Sequence, residues 1–92
     1  MLEEVRSALR VTSEAFDLEI IDLIDAAKLD LKITGVDTID ESDPLIKRAV
    51  ITYCKANFGY DNPDAQRLTN AYNMLKIHLS ISADYHTYGT NL

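Results

Sequence analysis

Apolar positions recur at helical spacing through nearly the whole chain, and no stretch of strict alternation is long enough to make a strand. The pattern predicts an all-α domain. Leu2, Val5 and Leu9 stand at i, i+3 and i+7, which marks a short first helix of about two turns ending near Arg10. After a connector from Val11 to Ala15, the spacing predicts a second helix over Phe16 to Thr34. Ser13 or Asp17 is its candidate cap, and Gly35 takes the left-handed position beyond its end. Asp43-Pro44 and Asn62-Pro63 repeat one signal, a capping residue followed by proline at the first helical position. They open a third helix running to Phe58 and stopped at Gly59, and a fourth reaching about Ser80. The expected architecture is a compact bundle of four main helices, the first one short. It forms a single domain over 1–80, followed by a partly irregular C-terminal tail over 81–92.

Placed on a wheel of about 100° per residue, the second helix has two apolar faces. Phe16, Ile20, Leu23, Ile24, Ala27 and Leu31 form the stripe expected to face the core. Leu18, Ile21, Leu29 and Ile33 gather on the opposite side, interrupted by Asp22 and Asp25. The fourth helix repeats the pattern. Its core stripe is Ala65, Leu68, Ala71, Tyr72, Leu75 and Leu79, while Met74, Ile77 and Ile81 collect on the far side near its end. The third helix is apolar around most of its circumference and leaves a thin polar ridge of Arg48, Thr52 and Lys55, so it is expected at the centre. A small bundle could bury both second stripes, using the first helix and the tail as covers. If it does not, the stripes are contacts with other subunits, because exposed apolar patches on a small domain usually meet a partner.

Composition narrows the function without naming one. The 92 residues are 47% apolar and 26% charged, which excludes a disordered or low-complexity chain. The longest run free of polar residues, Ala49 to Ile51, is far short of the ~20 that cross a bilayer. The start Met1-Leu2-Glu3-Glu4 lacks the basic and apolar segments of an export signal, so a soluble, non-exported chain is expected, with no membrane partner. The single cysteine, Cys54, has no partner for an internal disulfide and suits a reducing cytoplasm. Net charge is −6, unevenly spread: residues 1–46 carry twelve acids and four bases, residues 47–92 three acids and five bases. Gripping a phosphate backbone needs clustered Lys and Arg, so this balance argues against a nucleic-acid binder.

The chemistry-bearing residues point away from catalysis. Cys54 lies on the core arc of the third helix as a small hydrophobe rather than beside a base. His78 and His86 are eight apart, without the Cys or carboxylate spacing of a zinc set. The acidic loop resembles a calcium loop only in charge, because Ile39 stands where a ligand belongs and Ser42 where glycine is needed. Gly35, Gly59 and Gly89 are too scattered to cradle a phosphate. No enzyme activity, metal or cofactor is expected.

Taken together, these features resemble the small head-tail connector proteins of tailed bacteriophages, also described as DNA-packaging adaptors. The resemblance is carried by Leu2-Glu3-Glu4-Val5-Arg6-Ser7-Ala8-Leu9-Arg10-Val11, similar to the family's opening short helix with its Leu-Arg-aliphatic step. It continues in Ile20-Ile21-Asp22-Leu23-Ile24-Asp25-Ala26-Ala27, similar to the second-helix signature, and in the closing Thr34-Gly35. Pro44-Leu45-Ile46-Lys47-Arg48-Ala49-Val50, Phe58-Gly59 and the late Leu68, Tyr72, Leu75 and Tyr85 follow in the family's order, so the likeness spans about residues 1–85. The linker Thr12 to Asp17 departs by being less acidic than the Asp-rich entry of many relatives.

The resemblance implies a structural role at the virion head-tail interface, for a chain made in the bacterial host cytoplasm. About a dozen copies would form a ring below the portal protein, extend the DNA channel and offer a platform to a head-completion or tail-terminator protein. DNA would pass through without specific binding. On this reading Leu18, Ile21, Leu29, Ile33, Met74, Ile77 and Ile81 are the subunit or partner surfaces. Asp37, Asp40, Glu41 and Asp43 form a loop that faces the channel or a neighbour, or else simply connects and caps the third helix through Asp43. Tyr85, His86 and Tyr88 would dock the tail on the portal. The competing classes are a host- or prophage-encoded helical protein-protein interaction module and a helical DNA-binding regulator. The second would have only Arg48 and Lys55 for a basic recognition face.

Overall fold

Each helix begins and ends where a particular backbone requirement is met. The computed structural model describes residues 1–82, which form α1 (Leu2–Ala8), a 3₁₀ turn (Glu14–Phe16), α2 (Asp17–Thr34), α3 (Pro44–Asn57) and α4 (Ala65–Ile81). No strand occurs among the described residues, and the fold is an all-α bundle.

α1 and α2 close in the same way. A left-handed residue follows each, Arg10 at φ 61° two positions past Ala8 and Gly35 at φ 118° directly past Thr34. The next amide then reaches back, Val11 N to Arg6 O and Val36 N to Leu31 O, each at 3.0 Å. At Gly35 an added Cβ would meet nothing within 4 Å, so backbone strain rather than lack of space selects glycine. Val36, carried inward by this turn, is buried like Leu31.

The starts differ in detail from the expectation. Ser13 accepts a hydrogen bond from Ala15 N at 3.0 Å and caps the 3₁₀ turn that leads into α2. Asp17 is not the cap; it accepts two bonds from Arg6, Nε at 3.1 Å and Nη2 at 2.9 Å, and so ties α1 to the first turn of α2. Asp43 caps α3 as its sequence predicts, one carboxylate oxygen accepting from Leu45 N at 2.8 Å and Ile46 N at 3.3 Å, with Pro44 following it. The second Asx-Pro pair does not open its helix. Asn62 Oδ1 accepts from Asp64 N and its carbonyl from Ala65 N, so Asn62 closes a turn around Pro63, and α4 begins at Ala65.

α3 packs against α1, α2 and α4 and is the central helix, through buried Ile46, Ala49, Val50 and Cys54. α2 meets it with Ile20, Ile24, Ala27 and Leu31, α1 with Val5, and α4 with Tyr72 and Leu79. The core stripe of α4 is narrower than its spacing suggests: Ala71 is exposed, and Leu68 and Leu75 are half-buried. Phe16 also stays at the surface, edge-on to Phe58 with centroids 5.7 Å apart.

A polar junction joins α2 to α4 at the margin of this core. Asp30 accepts from the Tyr72 hydroxyl at 2.6 Å and from Lys76 Nζ at 3.1 Å, while Lys76 lies over the Tyr72 ring and Tyr53 meets that ring edge-on. Partial burial alone would raise the Asp30 carboxyl, but the bonds from Tyr72 and Lys76 and the Lys76 charge outweigh it and hold Asp30 below its ordinary 3.8. Burial, then the Asp30 acceptor, pushes the Tyr72 hydroxyl upward, so it remains a donor.

Two stability predictions follow from these contacts. Asp43→Ala is expected to cost about 1 kcal/mol, lowering the melting temperature by roughly 4–8 °C, while Asp43→Ser keeps most of the stability. Equal melting points for both variants and the parent would refute the cap. Tyr72→Phe is expected to cost about 1–2 kcal/mol near neutral pH. Because Asp30 titrates lower folded than unfolded, its contribution is complete above 3.8 and is lost as pH falls through the folded value. The gap between Tyr72→Phe and the parent should therefore narrow in acid denaturant melts, and a gap independent of pH would rule out the Asp30 linkage.

Candidate functional site

The second stripes of α2 and α4 point outward. Leu18 is 83% exposed and Ile33 75%, and Ile21 and Leu29 lie exposed between them on the helix side opposite Ile20, Ile24, Ala27 and Leu31. Asp22 and Asp25 share this face and are exposed. Lys32 stands at its C-terminal end. On α4, Met74 is 74% exposed, with Ile77 and Ile81 exposed beside it. Among the described residues nothing covers either stripe, so α1 does not act as the lid that a self-contained bundle would need. The core closes without them.

The acidic loop is held largely by its own contacts. Asp40 accepts from both the amide and the hydroxyl of Ser42, at 2.9 and 2.7 Å, and the hydroxyl bond, then the amide bond, lower its carboxyl below the usual range. Glu41 pairs with Lys28 of α2, and that hydrogen bond lowers its carboxyl despite slight desolvation. Asp43 is occupied with capping α3. Asp37 and Asp40 are exposed and Ile39 is half-buried against the core, so the loop is anchored at its middle and its end.

A groove of about 510 Å³ runs between α3 and α4. Ile51, Leu68, Ala71, Met74 and Leu75 supply its apolar lining, and Arg48, Lys55 and Arg67 its charge. Arg67 pairs loosely with Asp64 at 3.6 Å; Arg48 and Lys55 pair with no carboxylate among the described residues. The sequence shows Arg48 and Lys55 as a ridge but hides the groove, because Ala71 and Arg67 come beside that ridge only through the packing of α4 on α3. The signal for it is Ala71 itself, a small residue where a larger one would fill the gap.

Cys54 is buried, and desolvation pushes its thiol up to about 12, which removes the thiolate a nucleophile would need. His78 is exposed on α4, and no three His, Cys, Asp or Glu side chains among the described residues gather closely enough to hold a metal ion. No helix among them is long and apolar enough to cross a membrane. Tyr85, His86 and Tyr88 lie outside the described residues.

The geometry therefore offers two outward apolar faces and one cation-lined groove on an acidic bundle. A family model described as phage connector protein matches residues 1–86. Comparison with curated proteins and with solved structures found no match.

Proposed function

This chain belongs to the phage connector protein family, and from that membership we propose that about a dozen copies assemble into a ring beneath the portal. The ring extends the DNA channel and presents a platform to a head-completion or tail-terminator protein. The role is structural, and the chain catalyses no reaction. The observation that carries the reading is the outward apolar face of α2, Leu18, Ile21, Leu29 and Ile33, on a domain whose core is already complete. Water contact along such a face disfavours the isolated chain, and covering it stabilises an assembly by roughly 25 cal/mol for each Å² removed from solvent. Met74, Ile77 and Ile81 give a second surface in a different place, as a contact that is not self-complementary requires.

Charge supports the channel assignment. The N-terminal half carries the excess of acids, and a wall of that sign repels the DNA backbone, letting it slide without adhering. The acidic loop with Asp37, Asp40, Glu41 and Asp43 is the part that faces the channel or a neighbour, and Asp37, Asp40 and Glu41 are exposed on it. The tail, with Tyr85, His86 and Tyr88, docks on the portal.

Light scattering and negative-stain microscopy test the ring directly. A closed ring of about a dozen copies is expected, either from the free chain or after adding the portal. Leu29→Asp combined with Ile77→Asp should abolish it while changing the stability of the monomer by about 0.5 kcal/mol or less, both positions being exposed. A chain that stays monomeric alone and with the portal would sink the proposal.

A further inference from the structure

Resting on the ring reading, we infer that the groove between α3 and α4 is the seat for the central turns of α2 from a second copy of this chain. The two surfaces match in chemistry. The groove has an apolar floor of Ile51, Leu68, Ala71 and Leu75 and a cationic margin of Arg48, Lys55 and Arg67. The outward face of α2 presents Ile21 and Leu29 with Asp22 and Asp25 between them. Apolar side chains meet the floor, and the two carboxylates meet Arg48 and Lys55, neither of which has an ion-pair partner among the described residues.

They also match in length and placement. Ile21 to Leu29 and Arg67 to Leu75 each span eight residue steps, about 12 Å of helix. Within one molecule the two cannot meet. Tyr72 and Lys76 turn one flank of α4 toward Asp30 of the chain's own α2, and Arg67, Ala71 and Met74 lie on its other flank, where the groove opens. The outward face of α2, in turn, looks away from α3. Surfaces that are complementary but differently placed join copies head to tail, and such contacts close into rings when the rotation permits. The like charges also oppose the alternatives, since α2 against α2 brings carboxylates together and groove against groove brings cations together.

Charge reversal with compensation tests the pairing. Arg48→Glu with Lys55→Glu, and separately Asp22→Lys with Asp25→Lys, are each expected to raise the concentration for half assembly at least tenfold, on the order seen when like charges face each other across an interface. Sedimentation velocity at fixed ionic strength, with the portal present if the parent chain needs it, reads this. The quadruple variant, reversed on both surfaces, should return to within about threefold of the parent. All four side chains are exposed, and unchanged melting temperatures confirm that each variant folds. If the parent assembles and either reversal leaves assembly intact, or the quadruple variant stays apart, this pairing is overturned while the ring survives. If the parent assembles under neither condition, the ring reading itself fails and this inference with it.

Discussion

The position of α3 governs the rest of the molecule. It is enclosed by α1, α2 and α4, and its apolar girth consumes one face of each. Among the described residues no further helix lies over the backs of α2 and α4. What those backs carry is therefore left uncovered by the described part of the fold. In most small bundles they carry charge; here they carry leucine, isoleucine and methionine. The proposed assembly surfaces thus follow from how the core is built, with no special motif marking them.

Much of this was legible in the sequence because helical signals are local. The cap at Asp43, the left-handed Gly35 and the spacing of Ile20, Ile24, Ala27 and Leu31 depend on neighbours within a turn or two and stand where the pattern puts them, while Ser13 caps the 3₁₀ turn ahead of α2 and not α2 itself. The division of α2 into two apolar faces is likewise a matter of angle along a single helix. What could not be read depends on contacts between helices. The spacing places Ala71 on the core arc, but α4 packs on α3 so that this arc opens onto the groove. Nothing near Asp30 in the sequence marks its role, which depends on Tyr72 and Lys76, more than forty residues later, reaching it. Asn62 carries the same dipeptide signal as Asp43, yet its carboxamide also donates to Lys55 O at 2.7 Å, and that tie holds it in the turn instead of on the helix axis.

The acidic loop shows how a charge run can be structural and still shape a field. Glu41 and Asp43 are committed to Lys28 and to the amides of α3, so their negative charge is fixed in space rather than carried on mobile side chains. Fixing a charge does not remove its long-range effect, although pairing with Lys28 reduces it locally. The loop thereby keeps a defined shape within the N-terminal half, where the acids are concentrated. A surface of that sign is suited to lining a passage for DNA, since the same geometry with cations would bind the backbone and halt it.

A head-to-tail arrangement of modest contacts has a property that larger, isologous interfaces lack. Each copy uses two surfaces, and every open oligomer leaves one of each uncovered at its ends. Closing the ring covers both at once and adds a contact without the translational and rotational loss of a further association step. Individual pairings can then be weak enough to avoid uncontrolled polymers, while the closed form is held by all of them together. Exposed charges suit this balance: Asp22 and Asp25 interrupt the apolar face of α2, and charge on a surface opposes indiscriminate association. In the proposed pairing the same carboxylates would meet the cationic margin of the groove, so the feature that lowers the apolar content of the face would also give the contact its direction.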